Sequence, residues 1–291
     1  MPTLLDFRHR IRSVKNTQQI TRAMKFVAAA RLRRAQERAI AARPYAHQMA
    51  RVLRSTIGRI ENPVHPLFER RPEEKLLLIV VTGERGLCGA FNANVLRQAA
   101  EFYREHEGKQ ILALPVGKKG RDALRRQERG FAGEYTNVLA RVEFEDARRI
   151  ATQVIELYTV KRVDAVYIVF SEFKNVLAPH LTLEKLLPIE AIEAEEMPAA
   201  EAATAQVDYI YEQPAEYLLD RLLPRYVEAQ VFRFMLESSA AEHAARMGAM
   251  EMATKNAGDV IQQLTLYMNK VRQAAITKEI IEVVSGAASA S

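Results

Sequence analysis

The glycine-rich segment Thr82–Asn94, which reads TGERGLCGAFNAN, is the first place in this sequence where chemistry could occur. It follows an apolar stretch, and a glycine-rich turn that enters a helix can hold a phosphate group on its backbone amides. The glycines Gly83, Gly86 and Gly89 fit neither the GxGxxG spacing nor the P-loop, and no Lys-Ser/Thr pair follows them. A tight structural turn is therefore the favoured interpretation, and a nucleotide-binding α/β enzyme is kept as the alternative.

Nucleophilic and metal-ligating residues give a weaker signal. Cys88 lies near Arg85, and a basic neighbour can activate a thiol. No histidine, aspartate or second cysteine stands close by in the sequence to complete a nucleophilic site. The six histidines are scattered without the spacing of zinc ligands. We therefore predict no catalytic residue, no cofactor and no metal site, and a single cysteine also rules out an internal disulfide.

The middle of the chain alternates between two kinds of pattern. Short runs rich in Leu, Ile and Val predict buried strands, and longer amphipathic stretches between them predict helices. Such alternation is typical of a mostly parallel, doubly wound sheet, a Rossmann-like α/β domain. The predicted strands are 75–82, 110–117 and 165–172, with a further strand at 181–189, and the predicted helices are 94–107, 118–127 and 143–161.

The two ends of the chain predict long helices. Between Pro2 and Pro63 the only proline is Pro44, and apolar residues recur at alternating steps of three and four. This coiled-coil seam is Ala28, Leu32, Ala35, Ala39, Ala42, Ala46, Met49, Leu53, Thr56 and Ile60. Continued backward it contains Leu4, Phe7, Ile11 and Val14, then polar Gln18, Thr21 and Lys25, so we expect the apolar stripe to shift there toward Ile20, Met24 and Val27.

A second seam lies near the C-terminus, in a helix predicted to begin near Pro214. Its members are Met250, Ala253, Ala257, Val260, Leu264, Tyr267, Val271 and Ala274. Because the chain returns after the middle domain, the simplest pairing of the two long helices is an antiparallel coiled coil within one chain; two helices of a large helical bundle are the alternative. The expected segments are an N-terminal coiled-coil helix at 1–62, an α/β foot domain at 73–213 and a C-terminal coiled-coil helix at 214–291.

Charge separates the N-terminal segment from the rest. Residues 1–60 contain 14 Lys and Arg against two acids, a net charge of +12, whereas the whole chain is +6. An acidic partner should therefore face this segment, although a basic-helix nucleic-acid-binding protein or a mitochondrial transit peptide would share the pattern. No apolar run approaches the ~18 residues that a membrane span needs, so we expect a soluble or peripheral protein.

Motifs at both ends and in the middle resemble the gamma subunit of F-type ATP synthases, of the bacterial type. The C-terminal ITKEIIEVVSGAAS, residues 276–289, follows Arg272 and Gln273. The other motifs are NTQQITRAMKFVAAARLRRAQ at 16–36, RPYA at 43–46, RGLCGAFN at 85–92, DYIYE at 208–212 and EHAARMGAMEMATKNAG at 242–258. The resemblance covers essentially the full chain.

This resemblance implies a non-catalytic rotor shaft inside a rotary, proton-transporting ATP synthase. Its coiled coil would fill the cavity of a hexamer of alpha and beta subunits, and its α/β domain would sit on the membrane rotor ring beside the epsilon subunit. It would bind neither nucleic acid nor nucleotide directly and would lie peripherally on the cytoplasmic face of the bacterial inner membrane. Chloroplast members carry an inserted cysteine pair, and this chain has a single cysteine, so we predict no thiol switch.

Three groups of site residues follow from the same resemblance. The contacts that couple the shaft to the beta subunits would be Met24, Lys25, Arg272, Gln273, Thr277, Glu279 and Glu282. An apolar bearing tip would contain Ile280, Ile281, Val283 and Val284, and contacts with the ring and epsilon would come from Tyr209, Tyr211 and Glu212.

Overall fold

A computed structural model describes residues 3–57, 65–173, 180–189 and 215–289. The chain divides into two compact units, one formed by 1–28 with 246–291 and the other by 29–245. In chain order the elements are α1 (Leu4–Ile57), a 3-10 helix (Pro66–Phe68), β1 (Lys75–Val81), α2 (Phe91–Glu105), β2 (Gln110–Val116), α3 (Lys118–Arg126), α4 (Phe144–Thr159), β3 (Ala165–Glu172), β4 (His180–Leu187) and α5 (Ala215–Ser289). We call the first unit the helical unit and the second the α/β unit.

The α/β unit is built on a four-stranded sheet in the order β2-β1-β3-β4. The strands β2, β1 and β3 are parallel, and β4 runs antiparallel to β3 at one edge. Both faces of β1 are buried, from Leu76 through Val81, as its continuous run of Leu, Ile and Val predicts for a central parallel strand. The predicted doubly wound sheet and its fourth strand are therefore confirmed.

The side chains of β1 alternate between two hydrophobic layers. Leu77 and Ile79 pack in a cluster with residues of α4 and with the parts of α1 and α5 that belong to the α/β unit. Leu76 and Leu78 face the opposite layer, which contains residues of α2 and α3. Helices thus cover both faces of the sheet, which is what a two-residue side-chain period requires when every position of a strand is apolar.

Most predicted elements of this unit appear with small changes at their ends. The helix expected from Asn94 begins at Phe91, because Phe91 is itself a buried residue on the inner face of α2. The strand expected from Leu181 begins at His180. The segment 190–206, whose richness in Ala and Glu is typical of an exposed loop, lies outside the described residues.

Within the α/β unit, α5 also buries charged residues. Glu237 is only 6% exposed, and its Oε2 has no hydrogen-bond partner among the described residues. Burial is the main reason that the pKa of Glu237 is raised above its ordinary value, while the nearby Arg233 opposes that rise. The Arg233 guanidinium lies 3.1 Å from the Glu184 carboxylate of β4, so this arginine already has another partner.

The helical unit pairs the start of α1 with the end of α5. The Thr3 and Asp6 side chains cap the first turn of α1 reciprocally. The hydrogen bonds that the Asp6 carboxylate accepts from the Thr3 amide and hydroxyl lower the pKa of Asp6. The Phe7 and Tyr267 rings lie 5.2 Å apart, and Thr21 meets Thr254, so residue numbers rise along one helix as they fall along the other. The predicted antiparallel pairing is thus confirmed.

Two details of the predicted seams are wrong in this unit. Ile20 and Val27 are 60% and 54% exposed, so the stripe does not shift toward them; the heptad register continues instead through the polar residues Gln18, Thr21 and Lys25. In α5, Val260 and Ala274 are exposed, and Tyr267 is 54% exposed although its ring contacts Phe7. The predicted members Leu264 and Val271 are partly buried, and so are Ile261 and Met268, each one residue after a predicted position.

Candidate functional site

Near its C-terminal end, α5 has an exposed segment of about four turns, which we call the tip and define as residues 272–285. Every residue of the tip is exposed. Its large apolar residues are conspicuous: Ile280 is 57% exposed and Val283 is 72% exposed. An apolar helix surface of this kind is typical of a site that another protein covers.

The polar residues predicted on the tip are exposed together with its apolar residues. Arg272, Gln273 and Glu279 are exposed and have no ion pair among the described residues. The Thr277 hydroxyl donates a 2.9 Å hydrogen bond to the Gln273 carbonyl within the helix. The Glu282 carboxylate lies 3.5 Å from the Lys278 ammonium. The guanidinium of Arg272 is therefore available to a carboxylate of another chain.

The other two predicted coupling residues lie elsewhere in the helical unit. Lys25 on α1 forms a 2.6 Å salt bridge with Glu251 on α5, and Met24 beside it is partly buried. Glu251 precedes Arg272 by about six helical turns, or about 30 Å along α5. The predicted coupling residues consequently form two separate patches, one on the paired helices and one on the tip.

An apolar group on α1 adjoins the first of these patches. Phe26 is 61% exposed, as much as the neighbouring Ile20, although it belongs to neither predicted seam.

The predicted ring and epsilon contacts Tyr209, Tyr211 and Glu212 lie outside the described residues.

A polar layer lies across the seam of the helical unit, and sequence reasoning missed it. The Gln18 amide donates to the Thr254 carbonyl at 3.3 Å, and the Thr21 and Thr254 hydroxyls are 2.8 Å apart. A Cβ added at Gly258 would lie 3.1 Å from the Gln18 amide nitrogen, so the glycine leaves room for this side chain. The available signal is the appearance of polar residues at heptad positions, which can be mistaken for a change of register.

The glycine-rich loop of the α/β unit directs its polar groups inward. The Gly83 amide donates to the Asn92 side chain at 2.9 Å, and the Asn92 amide donates to the Arg85 carbonyl. A Cβ at Gly83 would lie 2.9 Å from the carboxyl carbon of Glu242 on α5, and Cys88 is buried. A carboxylate held against the loop disfavours an anion at that position, and the arrangement is typical of a structural turn.

The described residues also bear on two other kinds of site. No group of three or more His, Cys, Asp or Glu in those parts of the chain could hold a metal ion. Across the same residues, no helix is both long enough and apolar enough to cross a membrane.

Solved structures define the class of protein to which this fold belongs. The rotor of the Euglena gracilis mitochondrial ATP synthase matches 94% of this chain and 98% of its own, with a TM-score of 0.64 and 18% identity. The central stalk and c-ring structure of the Tetrahymena thermophila mitochondrial ATP synthase contains a chain that matches 80% of this one and 99% of its own, with a TM-score of 0.61 and 26% identity. The fold is therefore that of a rotary stalk subunit.

Relatives in sequence make the assignment specific. A family profile described as ATP synthase matches residues 3–290. The ATP synthase gamma chain of Solibacter usitatus is 51% identical over 294 residues and covers 100% of both chains, and that of Trichlorobacter lovleyi is 46% identical over 291 residues and covers 99% of each. The chain belongs to the ATP synthase gamma chain family, whose members are non-catalytic stalk subunits.

Proposed function

We propose that this chain transmits torque through two separate patches on its helical unit to the catalytic subunits of an ATP synthase. The first patch contains Met24 and Lys25, and the second contains Arg272, Gln273, Thr277, Glu279 and Glu282. The apolar tip residues Ile280, Ile281, Val283 and Val284 serve as a bearing. The observation that carries the proposal is the tip itself, an exposed helical segment with several large apolar side chains.

The chemistry of the tip suits a contact that must both slide and engage. Apolar contact is non-directional, so the surface around Ile280 can turn within an apolar collar without breaking specific bonds. The Arg272 guanidinium can in contrast form directional, charge-assisted hydrogen bonds with a carboxylate. The apolar contacts allow rotation, and the directional hydrogen bonds of Arg272 make the interaction with the surrounding subunits depend on the rotation angle.

An asymmetric shaft within a ring of three catalytic subunits must present a different side to each of them. The three sites are then held in different conformations at any moment, and rotation exchanges those conformations. Ion flow through a membrane ring would turn the shaft and drive ATP release, and ATP hydrolysis would drive it in reverse. The chain itself performs no chemistry in this scheme.

The proposal extends to partners and location. The alpha and beta subunits would surround the helical unit, while Tyr209, Tyr211 and Glu212 would contact the rotor ring and the epsilon subunit. The assembly would lie on the cytoplasmic face of a bacterial inner membrane. The division into a helix at 1–62, a foot at 73–213 and a helix at 214–291 stays a prediction.

The test is co-expression of the chain with alpha and beta subunits from the same source, followed by observation of a bead attached to the α/β unit. We expect ATP-dependent rotation in steps of about 120°, as three equivalent sites per turn require. A chain that fails to enter the hexamer, binds DNA in a salt-dependent way or binds ATP alone would return the nucleic-acid-binding or nucleotide-binding alternatives to consideration.

The contribution of Arg272 can be measured in the same assembly. Arg272→Ala should lower coupled ATP synthesis by about tenfold or more, because a charge-assisted hydrogen bond to a carboxylate contributes about 1.5–3 kcal/mol. Lys270→Ala is the matched control, since Lys270 is an exposed cation on the same helix that belongs to neither patch. Equal losses in both variants would contradict the role given to Arg272.

A further inference from the structure

A cleft opens on the α/β unit where two turns meet the start of β2. One turn follows α2 and contains Gly108, and the other follows α3 and contains Glu128; their φ angles are both positive, at 91° and 54°. The cleft has a volume of about 420 Å³, which lies within the range of small-molecule sites. No residue of the two coupling patches or of the tip lines it, so the proposed shaft function leaves the cleft unexplained.

Tyr103 lines this cleft with a donor that lacks an acceptor. The residue is only 8% exposed, and its hydroxyl is buried without a hydrogen-bond partner among the described residues. Burial raises the pKa of Tyr103 to about 12, although the nearby Arg129 opposes the rise. The hydroxyl is therefore protonated at neutral pH and can donate a hydrogen bond. Buried polar groups in folded proteins are nearly always hydrogen-bonded, so this one calls for a partner.

Arg129 is a second donor in the same cleft. Its guanidinium carbon lies 4.0 Å from the centroid of the Tyr103 ring, so the cation is held on the face of the ring. Arg129 forms no ion pair within the described parts of the chain. A guanidinium over a ring keeps the N–H groups at its edge, and these bind carboxylates directionally. Tyr103 and Arg129 together therefore suit a carboxylate.

The cleft also offers two carboxylates of its own. Glu107 and Glu128 line it at exposed positions, and neither forms an ion pair among the residues that the structure describes. The turns that contain them directly follow α2 and α3, and the C-terminal end of a helix attracts positive charge. The other two cations of the cleft, Arg104 and Lys109, each lie 3.9 Å from a carboxylate outside it. The cleft can therefore bind a cation as well as an anion.

We propose that this cleft binds a small zwitterion, an α-amino acid with an apolar side chain. Its carboxylate accepts hydrogen bonds from the Tyr103 hydroxyl and the Arg129 guanidinium. Because Arg129 is exposed, its side chain can move on the ring and admit the carboxylate. The ammonium of the ligand faces Glu107 and Glu128, and its side chain contacts the partly buried Ile111. This inference goes beyond the proposed function, because the cleft contains none of the coupling residues.

Three ligands that differ by one charge test the proposal on the purified full chain. L-phenylalanine is the zwitterion, L-phenylalaninamide lacks the carboxylate, and N-acetyl-L-phenylalanine lacks the ammonium. Ligand-observed nuclear magnetic resonance titration measures each dissociation constant, and the leucine series repeats the comparison with an aliphatic side chain. We expect saturable binding of the amino acid and about tenfold weaker binding of each analogue, because each loses charge-assisted hydrogen bonds. No saturable binding of either amino acid, or equal binding of an analogue, would overturn the proposal.

Two substitutions test whether the ligand occupies the cleft. Tyr103→Phe removes only the hydroxyl and Arg129→Gln removes the cation, and each should weaken binding of the amino acid by about tenfold. Tyr217→Phe and Arg221→Gln are the matched controls. Arg221 also lies over a tyrosine ring, at 5.8 Å from the Tyr217 centroid, but both residues are exposed on α5 and line no part of the cleft. Losses of equal size in the controls would contradict the site.

Thermal unfolding provides an independent check on Tyr103. Tyr103→Phe should leave the melting temperature unchanged or raise it, because the hydroxyl that it removes has no partner among the described residues. A clearly lower melting temperature would show that the hydroxyl is bonded within the chain, and the proposal would then fail. Neither measurement requires the hexamer, so failure of this proposal is separable from failure of bead rotation.

Discussion

At the residue scale, the buried carboxyl group of Glu237 lowers the stability of the fold at neutral pH. Its carboxylate is nearly inaccessible to water, and the residues that influence its charge are Arg233 on the same helix, Glu172 and Glu184 from the sheet, and Arg43 from α1. The two glutamates and burial itself disfavour the charged form, and the two arginines favour it. The net result is a pKa raised above the ordinary glutamate value of 4.5.

A raised pKa in the folded state predicts the sign of a pH effect. The folded chain keeps a proton at a pH where the unfolded chain has released it, so the contribution of Glu237 to stability is complete below pH 4.5 and is lost as pH rises through the folded-state pKa. Glu237→Gln should therefore stabilise the chain at neutral pH by about 1 kcal/mol, the lower end of the cost of an unsatisfied buried group.

Thermal unfolding of the two chains across pH measures this effect. The advantage of Glu237→Gln should shrink as the pH falls toward 4.5, where wild type is protonated as well. The low-pH measurements are the internal control. An advantage that is constant across pH would mean that packing, and not charge, explains the difference.

Two glycines of α5 provide a matched pair of substitutions. A Cβ at Gly248 would meet nothing within 4 Å, whereas one at Gly258 would lie 3.1 Å from the Gln18 amide. Gly248→Ala should raise the free energy of unfolding by up to about 1 kcal/mol through helix propensity alone. Gly258→Ala should gain less or nothing, because the alanine displaces the amide from its hydrogen bond.

The cause can be checked with one more variant. Combining Gly258→Ala with Gln18→Ala removes the crowded amide, and the helix-propensity gain of the alanine should then be visible relative to Gln18→Ala alone. Circular dichroism melts of the variants suffice for the comparison. Equal gains at Gly248 and Gly258 in the wild-type background would show that Gln18 moves aside freely.

At the scale of elements, the tip of α5 should matter to assembly and not to folding. Ile280→Ser with Val284→Ser should leave the melting temperature of the chain unchanged, because both side chains are already more than half exposed. The same change should reduce the fraction of chain that enters the hexamer of alpha and beta subunits, as sizing chromatography would measure. Val160→Ser, at a 69% exposed position at the end of α4, is the control.

The sheet elements were predictable because their local and tertiary signals agree. Runs such as 76–81 are apolar at every position, and a strand buried on both faces needs that pattern. Beyond Ala257 the α5 seam was predicted correctly at Leu264 and Val271. It was one residue early at Val260 and Tyr267, because the residues that follow them, Ile261 and Met268, are apolar as well. Only contact with α1 decides which member of each pair is covered.

The candidate site was predictable to a different degree. The residues of the tip were predicted as contact residues from the resemblance to a known family, and in the structure they are exposed. The polar layer was missed because an apolar-periodicity search treats Gln18 and Thr21 as interruptions. Their role depends on Thr254, more than two hundred residues away in the sequence, and no local pattern contains that pairing.

At the scale of the whole molecule, uneven charge should govern assembly kinetics. Residues 1–60 carry a net charge of +12 in a chain of +6, so long-range attraction should steer this segment toward an acidic partner. We expect the rate of association with the hexamer of alpha and beta subunits to fall as salt is raised, since the Debye length is about 8 Å at physiological ionic strength.

Charge substitutions test whether the salt dependence of the association rate comes from residues 1–60. Arg31→Gln with Arg34→Gln, both exposed on α1, should make the rate less sensitive to salt. Arg126→Gln with Arg162→Gln, both exposed outside residues 1–60, changes the net charge equally and should alter the sensitivity less. Stopped-flow fluorescence at several salt concentrations distinguishes the two pairs.

The length of α5 beyond the first turn of α1 has a mechanical consequence. Up to the contact between Phe7 and Tyr267 the helical unit has two helices side by side, and from Arg272 onward the described chain continues as one. Resistance to bending rises steeply with the cross-section of a rod, so the single helix is much more compliant than the pair. We expect it to behave as a flexible coupling does between a motor and its load, tolerating misalignment at its far end while the stiffer pair carries the twist.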